Sequence, residues 1–413
     1  MIAGAEILLL FVFTVFLGYL SELFYDKTRV PDIIWLIFFG IFLGPVLHLY
    51  DPSPFIRASP IMSIIALCII VFDAGIHMDF NVFLKSFPRS LPLTFLYYFL
   101  TIIIVGITSY MFMHNYLSLL ECILLGAMFS NNAVTVSAVL RNLESSSNVD
   151  LNNIRNILLL ESILSDSIAF ITVITIIRLI ITPYMSIIEG FENVFLSFIF
   201  SLSFGSLGGI LWSFILNKLS HRKFNYILTM AMVFFVYVFS EELVEGSGVL
   251  SLLFYALLIV NSDTLFEKFG LKDHFIVDSK HLREFHEEMT FLLKSFFFVF
   301  VGLIMQFSFE HVFFGLIVSL VMFGSRVLCT IIYDFMFKLN HVEKFAIMYT
   351  FTNGLSTLVM SRLPSVYDPN KLFFRNSEIY TNICFITVFV TVLLGIFIVP
   401  YMISRNIKSI NKG

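Results

Sequence analysis

Charge is what this 413-residue chain lacks. Asp, Glu, Lys and Arg together make up 13% of it, against roughly 25% in soluble globular proteins. By contrast, 58% of the residues are hydrophobic and the mean hydropathy is +0.93. So few polar side chains cannot cover a water-facing surface. Neither sign of charge dominates, since 25 Lys and Arg stand against 29 Asp and Glu, which excludes the basic footprint of a nucleic-acid binder. Cysteine is scarce as well: Cys68, Cys122, Cys329 and Cys384 all lie in apolar runs, in neither a disulfide framework nor a metal-ligand spacing. Long polar stretches are missing too. The longest, about residues 262 to 288, holds eleven charged residues; it reads as an amphipathic surface helix and is too short to fold as a catalytic module. No Ser/His or Asp/Asp pair sits in protease-like surroundings, so no enzyme and no cofactor is expected. A chain whose solvent is lipid remains.

What is present is a succession of apolar segments of about the ~20 residues that cross a bilayer as helix. They fall at about residues 5 to 24, 32 to 49, 59 to 78, 91 to 113, 117 to 139, 154 to 182, 194 to 217, 225 to 243, 249 to 261, 289 to 307, 312 to 336, 343 to 362 and 380 to 403. The expected fold is therefore an all-α polytopic membrane protein of about thirteen transmembrane helices. Lys and Arg set its orientation. With the tail bearing Arg405, Lys408 and Lys412 in the cytoplasm, that side collects 18 cations; the other side has five, Arg57, Arg178, Arg362, Lys371 and Arg375. The N-terminus is expected outside and the C-terminus inside, in a multi-pass protein of the cell membrane.

Because an ionisable or strongly polar side chain is costly in hydrocarbon, the informative residues are the polar ones within spans. In the fifth, GAMFSNNAVTVSAVL, Ser130, Asn131 and Asn132 are followed by Thr135 and Ser137. In the twelfth, MYTFTNGLSTLVMS, Thr350, Thr352, Asn353, Gly354, Ser356 and Thr357 make a second polar centre. Asn and Ser compete for backbone hydrogen bonds, so both segments read as helices that break near the midplane, with Thr352, Asn353 and Gly354 at the second break. The two are seven spans apart, as an inverted repeat of helices 1 to 6 onto 8 to 13 requires. Matched broken helices of this kind point to a transporter's binding site, although small polar residues also serve ordinary helix packing in membranes.

The sixth segment, LLLESILSDSIAFITVI, holds Glu161 and Asp166. A separation of five puts them about 140° apart on a helix, so they cannot share one small site, whereas Ser162 lies one turn before Asp166 on its face. A deep carboxylate such as Asp166 can exchange a proton for a cation, which is antiporter chemistry; Glu161 fits better as a structural carboxylate. Lys294 and Arg326 also lie inside spans and each needs a carboxylate, carbonyls or a wet cavity. Acids to meet them are few, Asp73 near the end of the third span among them.

These residues resemble the cation:proton antiporter family, especially the archaeal NhaP-type sodium/proton antiporters, over nearly the whole chain. VPDIIWLIFFGIFLGP is similar to the family's second-helix signature, FDAGIHMDF to its third-helix acidic-x-Gly pattern, and ESILSDSIAF to its Glu-Ser-x-x-Asn-Asp motif, which places Glu161, Ser165 and Asp166 on those positions. EGSGVLSLLFYALLIVNS, FFFVFVGLIM and SRVL, with Arg326, follow in the family's order. The resemblance implies a homodimer in which a core of helices 4 to 6 and 11 to 13 (residues 90–182 and 312–413) moves like an elevator against a scaffold of helices 1 to 3 and 8 to 10 (residues 1–89 and 225–311). Residues 183–224 carry the connecting seventh helix. It also implies that Asp166 binds either Na+ or H+.

Three departures stand out. The family's Thr-Asp at the fifth-helix crossing is here Asn131 and Asn132. The motif's Asn is Ser165. The Leu-Arg-Gly of the twelfth helix is Thr352, Asn353 and Gly354, while the acid two residues before Glu161 is Leu159; an Arg and its acidic partner thus disappear together. The expected function is exchange of a monovalent cation, Na+ first, for H+, electroneutral because one titratable acid remains. Asp166 is the shared ligand, Ser162, Ser165, Asn131 and Asn132 supply neutral oxygens, and Arg326 balances charge near the crossing. Exchange of K+ or another solute for H+, and a non-transporting homologue acting as membrane sensor or partner subunit, stay open as alternatives.

Overall fold

A computed structural model describes residues 3–28, 32–49, 53–133, 152–182, 186–219, 224–264, 279–305 and 308–410, and these residues are helical with short connections. Helix α1 spans Ala3–Thr28 and α2 spans Asp32–Ile41; α2 runs into a π-helical turn, Phe42–Val46. There Pro45 offers no N–H, and the Leu47 N–H reaches back to the Phe42 carbonyl at 3.0 Å, the wide i to i+5 closure that such turns use. Next come α3 (Ser53–Ile76), α4 (Phe80–Met113), α5 (Leu119–Met128), α6 (Asn152–Ile181) and α7 (Ile187–Leu219). The second half follows as α8 (Asn225–Leu243), α9 (Gly248–Val260), α10 (Ser279–Leu303), α11 (Phe309–Phe337), the three short helices α12 (His341–Met348), α13 (Leu355–Met360) and α14 (Leu363–Tyr367), and α15 (Ser377–Ile410). Among the described residues, six spans therefore precede α7 and six follow it, when α12 to α14 count as one interrupted span.

Helices α4, α6, α7, α8, α11 and the Ser377–Gly395 part of α15 are each long and apolar enough to cross a bilayer on length and composition. Helix α6 and this part of α15 are 72% buried along their most apolar stretch, whereas α7 is 22% and α8 is 28% buried. The first two are thus central and the second two lie at the rim of the single chain. All four cysteines are free and buried.

Two boundaries differ from the hydropathy reading. Helix α4 begins eleven residues before residue 91, capped by Asp79, whose carboxylate accepts from the Asn81 and Val82 N–H groups. Its first turns carry Lys85 and Arg89 and contain Pro88 and Pro92. Helix α10 likewise begins ten residues before residue 289. In both, the helix continues past the apolar stretch that marks it, because capping and tertiary contact hold polar turns that lipid does not. Residues 265–278, most of the stretch read as a surface helix, lie outside the described residues, as do Thr135 and Ser137.

Packing is backbone against backbone where α2 of the first half meets α10 of the second. A methyl group on Gly40 would lie 2.2 Å from the Val299 carbonyl oxygen, and one on Gly302 would lie 2.3 Å from that of Ile37; only glycine permits this approach. A different seam joins α6 to α9. Leu160, Ile163, Leu164 and Ile171 of α6 share one buried cluster with Leu250, Leu253, Phe254 and Leu257 of α9, and none of these eight side chains carries a donor or acceptor.

The fifth and twelfth spans are both discontinuous, and they meet. Helix α5 ends at Met128 and residues 131–133 are non-helical; α12 ends at Met348 and the chain is non-helical until Leu355. The Ala133 N–H donates to the Thr352 carbonyl at 2.6 Å, so the two unwound segments use each other's freed backbone groups, as buried irregular backbone must. Gly354 sits where a methyl group would come within 3.0 Å of the Ala133 Cβ.

Candidate functional site

Asn131 organises the crossing. Its side-chain oxygen accepts from Asn353 Nδ2 at 2.5 Å and from Thr357 Oγ1 at 2.8 Å. Its Nδ2 donates to Asp166 Oδ1 at 2.8 Å and to Ser356 Oγ at 2.6 Å. With Asp166 ionised this is the favoured orientation, since turning the amide over would set its oxygen against the carboxylate. Asn353 also donates to the Asn131 carbonyl at 3.1 Å, so the two broken spans are stitched by an amide pair with no charge.

Asp166, half-buried on α6, presents Oδ1 to this network. Ser356 Oγ donates to it at 2.6 Å alongside Asn131. Oδ2 receives no hydrogen bond among the described residues, and no cationic side chain is bonded to the carboxylate. The other expected donors of oxygen lie one layer away. Ser162 Oγ donates to the Asn132 carbonyl at 2.6 Å; Ser165 Oγ accepts from the Asn132 N–H at 3.2 Å and donates to the Ser162 carbonyl at 2.9 Å. Asn132 Nδ2 donates to the Thr350 carbonyl at 3.1 Å, while its Oδ1 is buried without a partner. The structure therefore brings Asp166, Asn131, Asn353 and the two hydroxyls of Ser356 and Thr357 into one network, with Ser162, Ser165 and Asn132 bracing α6 against the non-helical 131–133 segment. Thr352 contributes its carbonyl, and Gly354 the close approach described above.

The two buried charges near the crossing satisfy each other. Arg326 on α11 makes a two-point contact with Glu161, Nη1 to Oε1 and Nη2 to Oε2, the latter at 2.8 Å; neither side chain is exposed. The guanidinium also donates from Nε to the Ile347 carbonyl (2.8 Å) and from Nη2 to Thr350 Oγ1 (2.9 Å), and lies 4.6 Å from the centre of the Tyr97 ring. The countercharge of Arg326 is thus Glu161, one side of α6, while Asp166 faces the crossing from another.

Lys294 and Asp73 are elsewhere. Lys294 Nζ pairs with Asp32 Oδ2 at 2.7 Å, both sites being about 30% exposed (28% and 31%), so this cation ties α10 to the start of α2 and does not join the crossing. Asp73 lies on α3 beside His77, whose Nδ1 approaches the Asp73 carbonyl at 2.8 Å and whose Nε2 meets Glu287 Oε1 of α10 at 3.1 Å. Sequence reading placed Ser356 and Thr357 in a polar centre without assigning them to Asp166 or Asn131; the signal available was only that both lie just after Gly354, on the far side of the break.

The model of the family described as "Sodium/hydrogen exchanger, transmembrane" matches residues 12–404. A search of curated proteins finds no match. Among solved structures, the sodium proton antiporter MjNhaP1 from Methanocaldococcus jannaschii at pH 8 superposes with a TM-score of 0.80 at 17% identity, over 96% of this chain and 97% of that one. A second structure of MjNhaP1, from electron microscopy, gives 0.71 at 20% identity, over 99% and 98%. These likenesses establish a shared fold, broken helices included. With a family model covering nearly the whole length and the two unwound spans meeting over a carboxylate, the chain belongs to the sodium/hydrogen exchanger family of membrane transporters.

Proposed function

We propose that the protein exchanges a monovalent cation, Na+ first among them, for H+ across the cell membrane, one for one, with Asp166 as the group both bind. The observation that carries this reading is a carboxylate at the helix crossing whose bonds all come from neutral donors. A carboxylate withdrawn from water without a countercharge takes up a positive partner instead, and a proton or a cation serves equally. Glu161, the other acid of α6, is committed to Arg326. With one available acid, the proton-loaded and cation-loaded sites both carry zero net charge, which supports electroneutral exchange. The choice of Na+ rests on the family and on the likeness to a sodium proton antiporter.

Elevator movement of residues 90–182 and 312–413 against 1–89 and 225–311, with 183–224 as connector, is part of the proposal; the apolar α6–α9 seam between the two groups supports it. So is a homodimer, as the family resemblance implies. The surplus of Lys and Arg supports a cytoplasmic C-terminus and an external N-terminus.

The test is purified protein in liposomes loaded with a pH-sensitive dye and challenged with Na+, Li+ and K+, beside Asp166→Asn. Cation-driven proton movement lost in the variant is the expected result. Absence of such movement in the wild type at every pH from about 5 to 9, a range that spans shifted carboxylates, would sink the antiporter reading and favour a sensor or partner subunit. Full transport by Asp166→Asn would remove Asp166 from the site.

A further inference from the structure

Ser356 stands at the first turn of α13, immediately after the break. Its Oγ is 2.6 Å from Asp166 Oδ1 and 2.6 Å from Asn131 Nδ2, and the 2.8 Å bond between Asn131 and Asp166 closes a ring of three side chains. A hydroxyl has one proton and two lone pairs. The proton goes to Asp166 and one lone pair takes the Asn131 proton, which leaves one lone pair beside the carboxylate. The amide oxygen of Asn131 is turned the other way, onto Asn353 and Thr357. The hydroxyls of Ser162 and Ser165 are turned to the backbone around Asn132 and share no bond with Asp166. Ser356 is thus the neutral oxygen that the fold holds against the acid.

We infer that Ser356 is a ligand of the transported cation, completing with Asp166 a site made from both α6 and the far half of the broken twelfth span. This rests on the reading of Asp166 as the cation-binding group and deepens it. The two donors on Oδ1 fix the carboxylate's rotation and leave Oδ2 open; a cation bound between the carboxylate and Ser356 would take the hydroxyl's remaining lone pair. A hydroxyl is a hard oxygen donor, and the smaller alkali cations gain most from it. Since α13 is part of the span that unwinds at residues 349–354, a ligand there makes cation occupancy depend on how the two halves of that span sit.

The experiment compares wild type, Ser356→Ala, Ser356→Thr and Asp166→Asn in two measurements: cation-driven proton exchange in liposomes, and the Na+ or Li+ concentration that half-saturates the thermal stabilisation of the purified protein. Ser356→Ala is expected to raise the KM for Na+ and Li+ about five- to tenfold with Vmax retained, the loss of one polar contact among several, and to move the stabilisation midpoint by the same factor. The effect is larger for Li+ than for K+, and Ser356→Thr, which keeps the hydroxyl, stays close to wild type. Wild-type exchange with Ser356→Ala unchanged in KM and midpoint, or with Vmax lowered at constant KM, overturns the assignment of Ser356 and leaves Asp166 in place. Wild type and Asp166→Asn both lacking exchange and stabilisation by Na+, Li+ and K+ overturns the parent reading, and this inference with it.

Discussion

Arg326 and Glu161 face each other through two parallel contacts with neither side chain exposed, which commits the strongest charge pair near the crossing to holding α11 against α6. A planar guanidinium suits this two-point geometry and an ammonium does not. Breaking such a pair from one side strands a charge, at a cost of about 3–5 kcal/mol. Glu161→Gln is therefore expected to lower the unfolding midpoint sharply, and Arg326→Lys to recover little. Adding Arg326→Met to Glu161→Gln should restore part of the loss. A double variant as unstable as the summed singles would contradict the pairing, and thermal unfolding in detergent decides it.

Asn353 is fully buried and donates to the Asn131 carbonyl and side-chain oxygen. An arginine in its place brings a buried positive charge without the acid two residues before Glu161 that accompanies it in the family pattern, since position 159 is Leu. Asn353→Arg alone is expected to cost about 3 kcal/mol or more, as an unpaired buried charge does. Unfolding midpoint and yield of folded protein report this; a neutral outcome would mean that the loss of Arg and acid in this chain was not the removal of one ion pair.

Asp166 holds a carboxylate among neutral donors, a costly arrangement of the kind that functional sites retain. In Asp166→Asn the retained Oδ1 can accept from both Asn131 and Ser356 while the charge disappears. The variant is expected to be stabilised in cation-free buffer by about 0.5–2 kcal/mol, and its midpoint should no longer respond to added Na+. A clear destabilisation would assign the ionised carboxylate a structural role.

Asp368, in the connection after α14, is buried, which raises its pKa; the N–H groups of Leu372, Phe373 and Phe374 outweigh this and bring it below the usual carboxylate value. A lowered folded-state value means stability present above the unfolded pKa, about 3.9, and lost as pH falls through the folded one. Asp368→Asn should thus melt earlier than wild type at pH 7, with the gap narrowing below about pH 4. A gap that stays constant down to the acid limit would show the backbone bonds to be indifferent to charge.

The spans were legible because hydropathy is local: a helix in lipid announces itself residue by residue. The breaks were legible too, since Asn131, Asn132, Asn353 and Gly354 are poor occupants of a helix centre. Partnership across the chain was not. That Lys294 meets Asp32, 262 residues away in sequence, depends on how α10 leans on α2 through Gly40 and Gly302. Whether Asn131 offers Asp166 its oxygen or its nitrogen depends on Thr357 and Asn353 taking the oxygen first. The early starts of α4 and α10 were hidden for a further reason, since their first turns are polar and hydropathy has no means of separating a projecting helix from a loop.

The seam between α6 and α9 has a mechanical consequence. Leu160, Ile163, Leu164 and Ile171 meet Leu250, Leu253, Phe254 and Leu257 through dispersion and water exclusion, neither of which has a preferred direction. One helix turn is about 5.4 Å, and α6 advanced by that distance along α9 would exchange apolar neighbours for apolar neighbours, with no hydrogen bond among these eight side chains to break. In the elevator movement proposed above, a surface of this kind would resist separation without a directional bond among these eight side chains to oppose travel along its length, leaving the Arg178–Glu245 ion pair at its end as the contact to be broken.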